Sequence, residues 1–205
     1  MNLETRSLPM PLEVERRDDG RAVIRGMAAL YSTRSSDLGG FVEELAPGAF
    51  SDFMGREDRN KLVACWNHNM DFPLGSERAG TLRVAHTDRG LSYEVDPPTS
   101  SPVAEYVSRG DVWGSSFSFL CGEDEWRSAE NGQPLRVVRS IKAVYELGPV
   151  LNPAYSDTSV SVARRSLDTW LRTHRPALTL PALRRDAATE KALRRFLRQH
   201  GRKIG

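Results

Sequence analysis

The chain has 205 residues, 27% of them charged, a formal net charge of +2 and only two cysteines, Cys65 and Cys121. That length suits one principal hydrophobic core, two cysteines make no disulfide framework, and no apolar run approaches the roughly 20 residues of a membrane helix. The stretch from Met1 to Arg17 lacks the apolar segment of a signal peptide, so a reducing cytoplasm is the predicted compartment.

Leu12-Glu13-Val14-Glu15 alternates in hydropathy, Asp18-Asp19-Gly20 signals a turn, and Ala22 to Ala28 resumes an extended pattern. Together they predict a β-hairpin over residues 11–31. Gly39-Gly40 breaks the chain before Phe41 to Leu45, and Pro47 suits the first turn of a short helix running to Met54. Lys61 to Trp66 reads as a buried strand that delivers His68 to its end. A second hairpin is predicted from Thr81 to Asp96, turning at Thr87-Asp88-Arg89-Gly90. Ser100-Ser101-Pro102 reads as a helix start, with the helix passing through Val103, Tyr106 and Val107 and stopping at Gly110. A long strand from Val112 to about Arg127 follows, then a turn at Asn131-Gly132 and a strand from Leu135 to about Glu146.

The tail differs in kind. Residues 1–163 carry a net −7 and residues 164–205 a net +9, which divides the chain into an acidic body and a basic tail. Leu167, Trp170 and Leu171 fall at helical spacing, and Pro176 and Pro181 interrupt the pattern. Ala192, Leu193, Phe196 and Leu197 with Arg194, Arg195 and Arg198 then make a second, basic amphipathic helix. A solvated helical face accounts for this charge as well as a binding extension does. Nucleic acid is not an expected partner, because aromatic residues are sparse in the tail and no reading module is visible. The element order predicts a mainly β fold with peripheral helices (α+β), and long hairpins of this kind close most simply into a barrel.

Chemistry concentrates on Gly114-Ser115-Ser116-Phe117-Ser118-Phe119. On an extended strand Ser115, Phe117 and Phe119 face one way, and Gly114, Ser116 and Ser118 the other. The phenylalanines make the first face the core side, which leaves Ser116 and Ser118 as the hydroxyls able to meet a histidine or a substrate. A stripe of small residues is equally what close packing requires. A serine needs a positioned base to become a nucleophile. His174 and His200 lie in the tail and His86 in a hairpin, so His68, flanked by Asn67, Asn69 and Asp71, is the best candidate. Cys65, His68 and Asp71, with Cys121 or His86, are zinc ligand types, but no paired spacing completes a site, so no metal and no cofactor are expected.

Four segments, in order, carry a further signal: Phe41 to Phe50, then Trp66-Asn67-His68-Asn69 with Pro73-Leu74-Gly75, then Gly114 to Phe119, then Glu146 with Pro149 to Tyr155. Over roughly residues 10–165 the chain resembles the prohead (capsid maturation) proteases of HK97-type tailed bacteriophages. The resemblance implies a serine endopeptidase with a herpesvirus assemblin-like β-barrel and helices packed around it. It matches Ser116 to the nucleophile, His68 to the general base and Glu146 to the third catalytic member, a place taken by a second histidine in the herpesvirus enzymes. Substrate and partner would be the major capsid protein precursor with its scaffold segment, cleaved inside the immature prohead in the bacterial host cytoplasm. By analogy with the herpesvirus enzymes the chain would form a homodimer. Residues 1–163 would form the protease domain, and 164–205 a basic helical tail that binds scaffold or is self-cleaved. Two positions depart from the family pattern: Ser118 stands where glycine is common, and Gly148 where serine is common. The rival reading is a non-catalytic capsid assembly or scaffolding protein that keeps the protease fold.

Overall fold

The computed structural model describes residues 3–153 and 161–174. Among the described residues, twelve strands, two short α-helices and a 3-10 helix (Glu57–Lys61) make up the body. The first hairpin forms as the sequence predicts, from β2 (Glu13–Arg16) and β3 (Ala22–Leu30). The second pairs β7 (Leu82–Thr87) with β8 (Gly90–Val95). β3 also pairs with β8, so the two hairpins join into one four-stranded sheet in the order β2-β3-β8-β7. The Pro47 segment begins as turns, and the helix α1 is confined to Ser51–Met54, later than the sequence suggested.

The predicted long strand from Val112 to Arg127 is in fact two, β9 (Gly114–Cys121) and β10 (Asp124–Ser128). Its partner likewise divides into β11 (Pro134–Val138) and β12 (Ile141–Val150). Both breaks lie at the same level. Gly122 N–H donates to Ser140 O at 2.9 Å, and a Cβ on Gly122 would come within 2.5 Å of Ser140 Oγ. The bare glycine lets the two chains close in there, and the long hairpin bends from one sheet into another. Above the bend, β10, β11 and β4 (Val42–Leu45) form a three-stranded sheet.

Below the bend, β9 and β12 join β1 (Glu4–Leu8), β5 (Val63–Trp66) and β6 (Asn69–Ser76) in the order β1-β9-β12-β5-β6. The fold is therefore mainly β, as expected, but the expected closed barrel is not formed: the strands belong to three sheets, and β1 and β6 end the largest. Pro9 and Pro11 stop the chain between β1 and β2, and Pro73 removes an N–H from β6.

The five- and four-stranded sheets share one hydrophobic core containing Ile24, Leu91, Tyr93, Phe117, Phe119 and Leu147. Each such side chain contributes roughly 1.5–3 kcal/mol on burial. Helix α2 (Val103–Ser108) adds Val103, Ala104 and Val107 to that core. The second described segment is the helix α3 (Ser161–His174), which places Ala163, Leu167 and Leu171 on one face at four-residue spacing. The predicted helix over Ala192 to Arg198, and Pro176 and Pro181, lie outside the described residues. No described helix is long and apolar enough to cross a membrane.

Candidate active site

Strand phase separates the three serines as the sequence suggested. Ser115 points into the core between the sheets, and its Oγ lies 3.0 Å from the buried Tyr93 hydroxyl. Ser116 and Ser118 take the opposite face, which is buried as well, Ser116 at 0% exposure and Ser118 at 4%. Register then decides what those hydroxyls meet. Ser118 stands between Thr5 of β1 and Glu146 of β12, and Ser116 between Ser7 and Gly148.

Glu146 is the hub of this face. Its Oε1 accepts from the Ser118 hydroxyl and lies 2.9 Å from His68 Nδ1, while its Oε2 accepts from the Cys65 thiol at 3.2 Å. Thr5 Oγ1 is 2.9 Å behind Ser118 Oγ. Because Ser118 gives its proton to the carboxylate, Thr5 donates in turn to Ser118, and the chain Thr5–Ser118–Glu146–His68 is continuous. Burial drives the Glu146 carboxyl upward, but the hydrogen bonds from His68 and Ser118 outweigh it and hold the group below its ordinary value. An ionised carboxylate can only accept, so the His68 Nδ1 facing it carries a proton, and Nε2 is the ring nitrogen left to meet another partner. The Cys65 thiol, driven up by burial and by the Glu146 charge, stays protonated.

His68 owes its position to a strained turn. Trp66 pairs with Asn69, and between them Asn67 and His68 have φ of 50° and 62°. That is the positive pair a two-residue type I′ hairpin turn requires, in residue types for which it is comparatively accessible. Asn67 pins the tip to the end of β12: its N–H donates to Pro149 O at 3.0 Å, and its Oδ1 accepts from Leu151 N at 3.4 Å. The His68 side chain remains 34% exposed.

Gly148 makes the approach of this hairpin feasible. It has φ of 153°, and a Cβ there would lie 2.2 Å from Cys65 O. The absent side chain thus lets the β5 backbone close on β12. Gly148→Ser is expected to cost about 1–3 kcal/mol and to push the His68 turn away from Glu146. A urea-unfolding midpoint equal to that of the unsubstituted chain would refute this.

Of the three residues picked out as catalytic, the structure joins His68 and Glu146 directly. Ser116 shares their face but no hydrogen bond with them. Its Oγ donates to Arg6 O at 2.8 Å and accepts from Ser7 Oγ at 3.1 Å. His86 is exposed at the hairpin, edge-on to Tyr31. Cys65, Thr5 and Ser7 were not foreseen as site neighbours; Thr5 and Ser7 alternate in phase with Ser116 and Ser118, a signal readable only once β1 and β9 are known to pair. Among the described residues, no group of three or more His, Cys, Asp and Glu side chains is arranged to hold a metal ion.

Comparison with known proteins gives one family. The sequence model of the caudovirus prohead serine proteases matches residues 10–173. No curated protein and no solved structure matches the chain.

Proposed function

The chain belongs to the caudovirus prohead serine protease family, and from that premise we propose that it is an endopeptidase that trims the capsid precursor, with Ser116 as nucleophile, His68 as general base and Glu146 as the group that orients the imidazole. The observation that carries this reading is the 2.9 Å contact between His68 Nδ1 and Glu146 Oε1 on the face that also bears Ser116.

In this mechanism Ser116 Oγ attacks the scissile carbonyl while His68 Nε2 takes its proton. Glu146 keeps the Nδ1 proton in place and stabilises the imidazolium. His68 then protonates the leaving amine, and water hydrolyses the acyl-enzyme by the same route. To engage His68, the Ser116 hydroxyl exchanges its bond to Arg6 O for one to the imidazole. Such bonds commonly tighten only when substrate is bound. Ser118 acts through Glu146 as a positioning residue.

The substrate is the major capsid protein precursor with its scaffold segment, met inside the immature capsid in the host. Residues 164–205, with their net +9, serve as the extension that binds scaffold or is removed by self-cleavage. Co-expression with the capsid precursor of the same phage, followed by intact-mass analysis, tests the reading. A shortened capsid protein is expected, whereas an untrimmed precursor would favour the non-catalytic assembly role.

A further inference from the structure

Beyond His68 the β5–β6 hairpin loses its pairing. Trp66↔Asn69 and Cys65↔Pro73 are successive pairs on β5, so Met70, Asp71 and Phe72 have no partner in the register. They form a three-residue bulge on the edge strand of the largest sheet. Bulges of this kind are frequent beside active sites, where they re-aim side chains. Here the bulge holds two large apolar side chains in solvent, Met70 at 54% and Phe72 at 61% exposure.

A groove of about 710 Å³ runs between this bulge and the segment from Pro98 to Tyr106. Its walls include Trp66, Phe72, Leu74, Val103 and Tyr106. The Trp66 and Tyr106 rings lie 6.3 Å apart between centroids. Asn67 and Asn69, the two neighbours of His68, are part of its lining. Asp71 is the only charged residue in the lining. Other reactive groups offer less. Burial lifts the Cys121 thiol to about 12, so it stays protonated and inert, and the buried arginines are fully paired.

We propose that this groove is the cleft that receives the cleaved chain, and that it selects an extended polypeptide with a large apolar side chain close to the scissile bond. The proposal rests on the endopeptidase reading above. Three features define the occupant. β6 is an edge strand of the largest sheet, and although Asp71 N–H is taken by Asn69 Oδ1 at 2.9 Å, the open side of the strand can add an extended segment, which supplies main-chain hydrogen bonds without regard to sequence. Pro73, with no N–H, ends that ladder. The aromatic and aliphatic walls then fit an apolar side chain, and Asp71 disfavours an acidic one. Because the strand begins next to His68, a peptide laid along it passes the catalytic base.

The test separates binding from cleavage. Full-length protein carrying Ser116→Ala is titrated with fluorescent decapeptides, uncharged and alike except for a central Leu, Phe or Ser. The Leu and Phe peptides are expected to bind at least tenfold more tightly than the Ser peptide. Phe72→Ser, at a position 61% exposed, is expected to abolish that preference with an unchanged urea midpoint, and Tyr106→Ser, which also loses its ring contact with Trp66, to abolish it too. Equal affinity for the three peptides, no binding of any, or a preference that survives both substitutions would overturn the proposal. If the preference holds but chain with Ser116 intact leaves the Leu peptide uncut, the groove stands and the endopeptidase reading falls.

Discussion

Ser116→Ala is expected to reduce trimming of the capsid precursor by at least about 10⁴-fold, while Ser118→Ala costs about tenfold. The two hydroxyls share one face of one strand, and the proposed mechanism gives them different work. With Ser116 as the proposed nucleophile, its removal leaves no atom to form the acyl-enzyme. Removing the Ser118 hydroxyl takes one donor from Glu146 Oε1 and leaves the His68 contact intact. Its loss has a second signature. The Ser118 hydrogen bond helps hold the Glu146 carboxyl low, so Ser118→Ala raises that carboxyl's pKa. Glu146 then takes up its proton at higher pH, which a carboxyl titration followed by NMR reads, while trimming rates measured by mass spectrometry read the loss of activity. If Ser118→Ala is the silent enzyme and Ser116→Ala the slowed one, the roles are reversed.

Arg136→Met is expected to destabilise the fold by about 3–5 kcal/mol. Arg136 is 1% exposed and holds Glu4 at 2.6 Å, Glu43 at 2.8 Å and Asp124 at 2.5 Å. Arg6 bonds Glu43 at 2.7 Å and Glu4 at 2.8 Å. The cluster ties β1 to the three-stranded sheet through side chains that water does not reach. Taking one cation away strands two buried carboxylates on a single guanidinium, which is the costly way to break such a network. Replacing Glu4, Arg6, Glu43 and Arg136 together with apolar residues of similar volume should recover much of the loss. The pH dependence has a definite sign. Burial drives the Glu43 carboxyl up, but Arg6 and Arg136 outweigh it and hold it below its ordinary value. Its contribution is fully present above the unfolded carboxylate value, about 4.3, and is lost as pH falls through the lower folded value. Without Arg136 the folded value rises, so acid unfolding begins at higher pH. Urea and acid titrations followed by circular dichroism check this, and unchanged midpoints in both would sink it.

Local signals in the sequence were enough for the two early hairpins, because Asp18-Asp19-Gly20 and Asp88-Arg89-Gly90 announce turns between alternating segments. Reading one continuous strand misses the bend at Gly122, although Gly122 and the acidic run Glu123-Asp124-Glu125 interrupt the pattern there. Its contact with Ser140 shows that the strand changes sheet at that point. Strand phase likewise sorted Ser115 from Ser116 and Ser118, but it could not say that both faces of β9 are covered. The buried ion cluster was illegible. Glu4 and Arg6 alternate with uncharged residues as a solvated edge strand would, and their partners Glu43 and Arg136 lie far away in the chain. His68 and Glu146 were joined beforehand only through resemblance, since nothing in either segment specifies the other.

The parts of the site are gathered from across the chain, with Thr5 and Ser118 separated by 113 positions and His68 and Glu146 by 78. A chain emerging from the ribosome therefore has β1 in hand first and must keep it unpaired until β9 exists. The hub carboxylate arrives later still, on β12. Loop closure over such spans is slow, so the order of synthesis itself acts as a timer: no shorter nascent chain can assemble the His68–Glu146 pair.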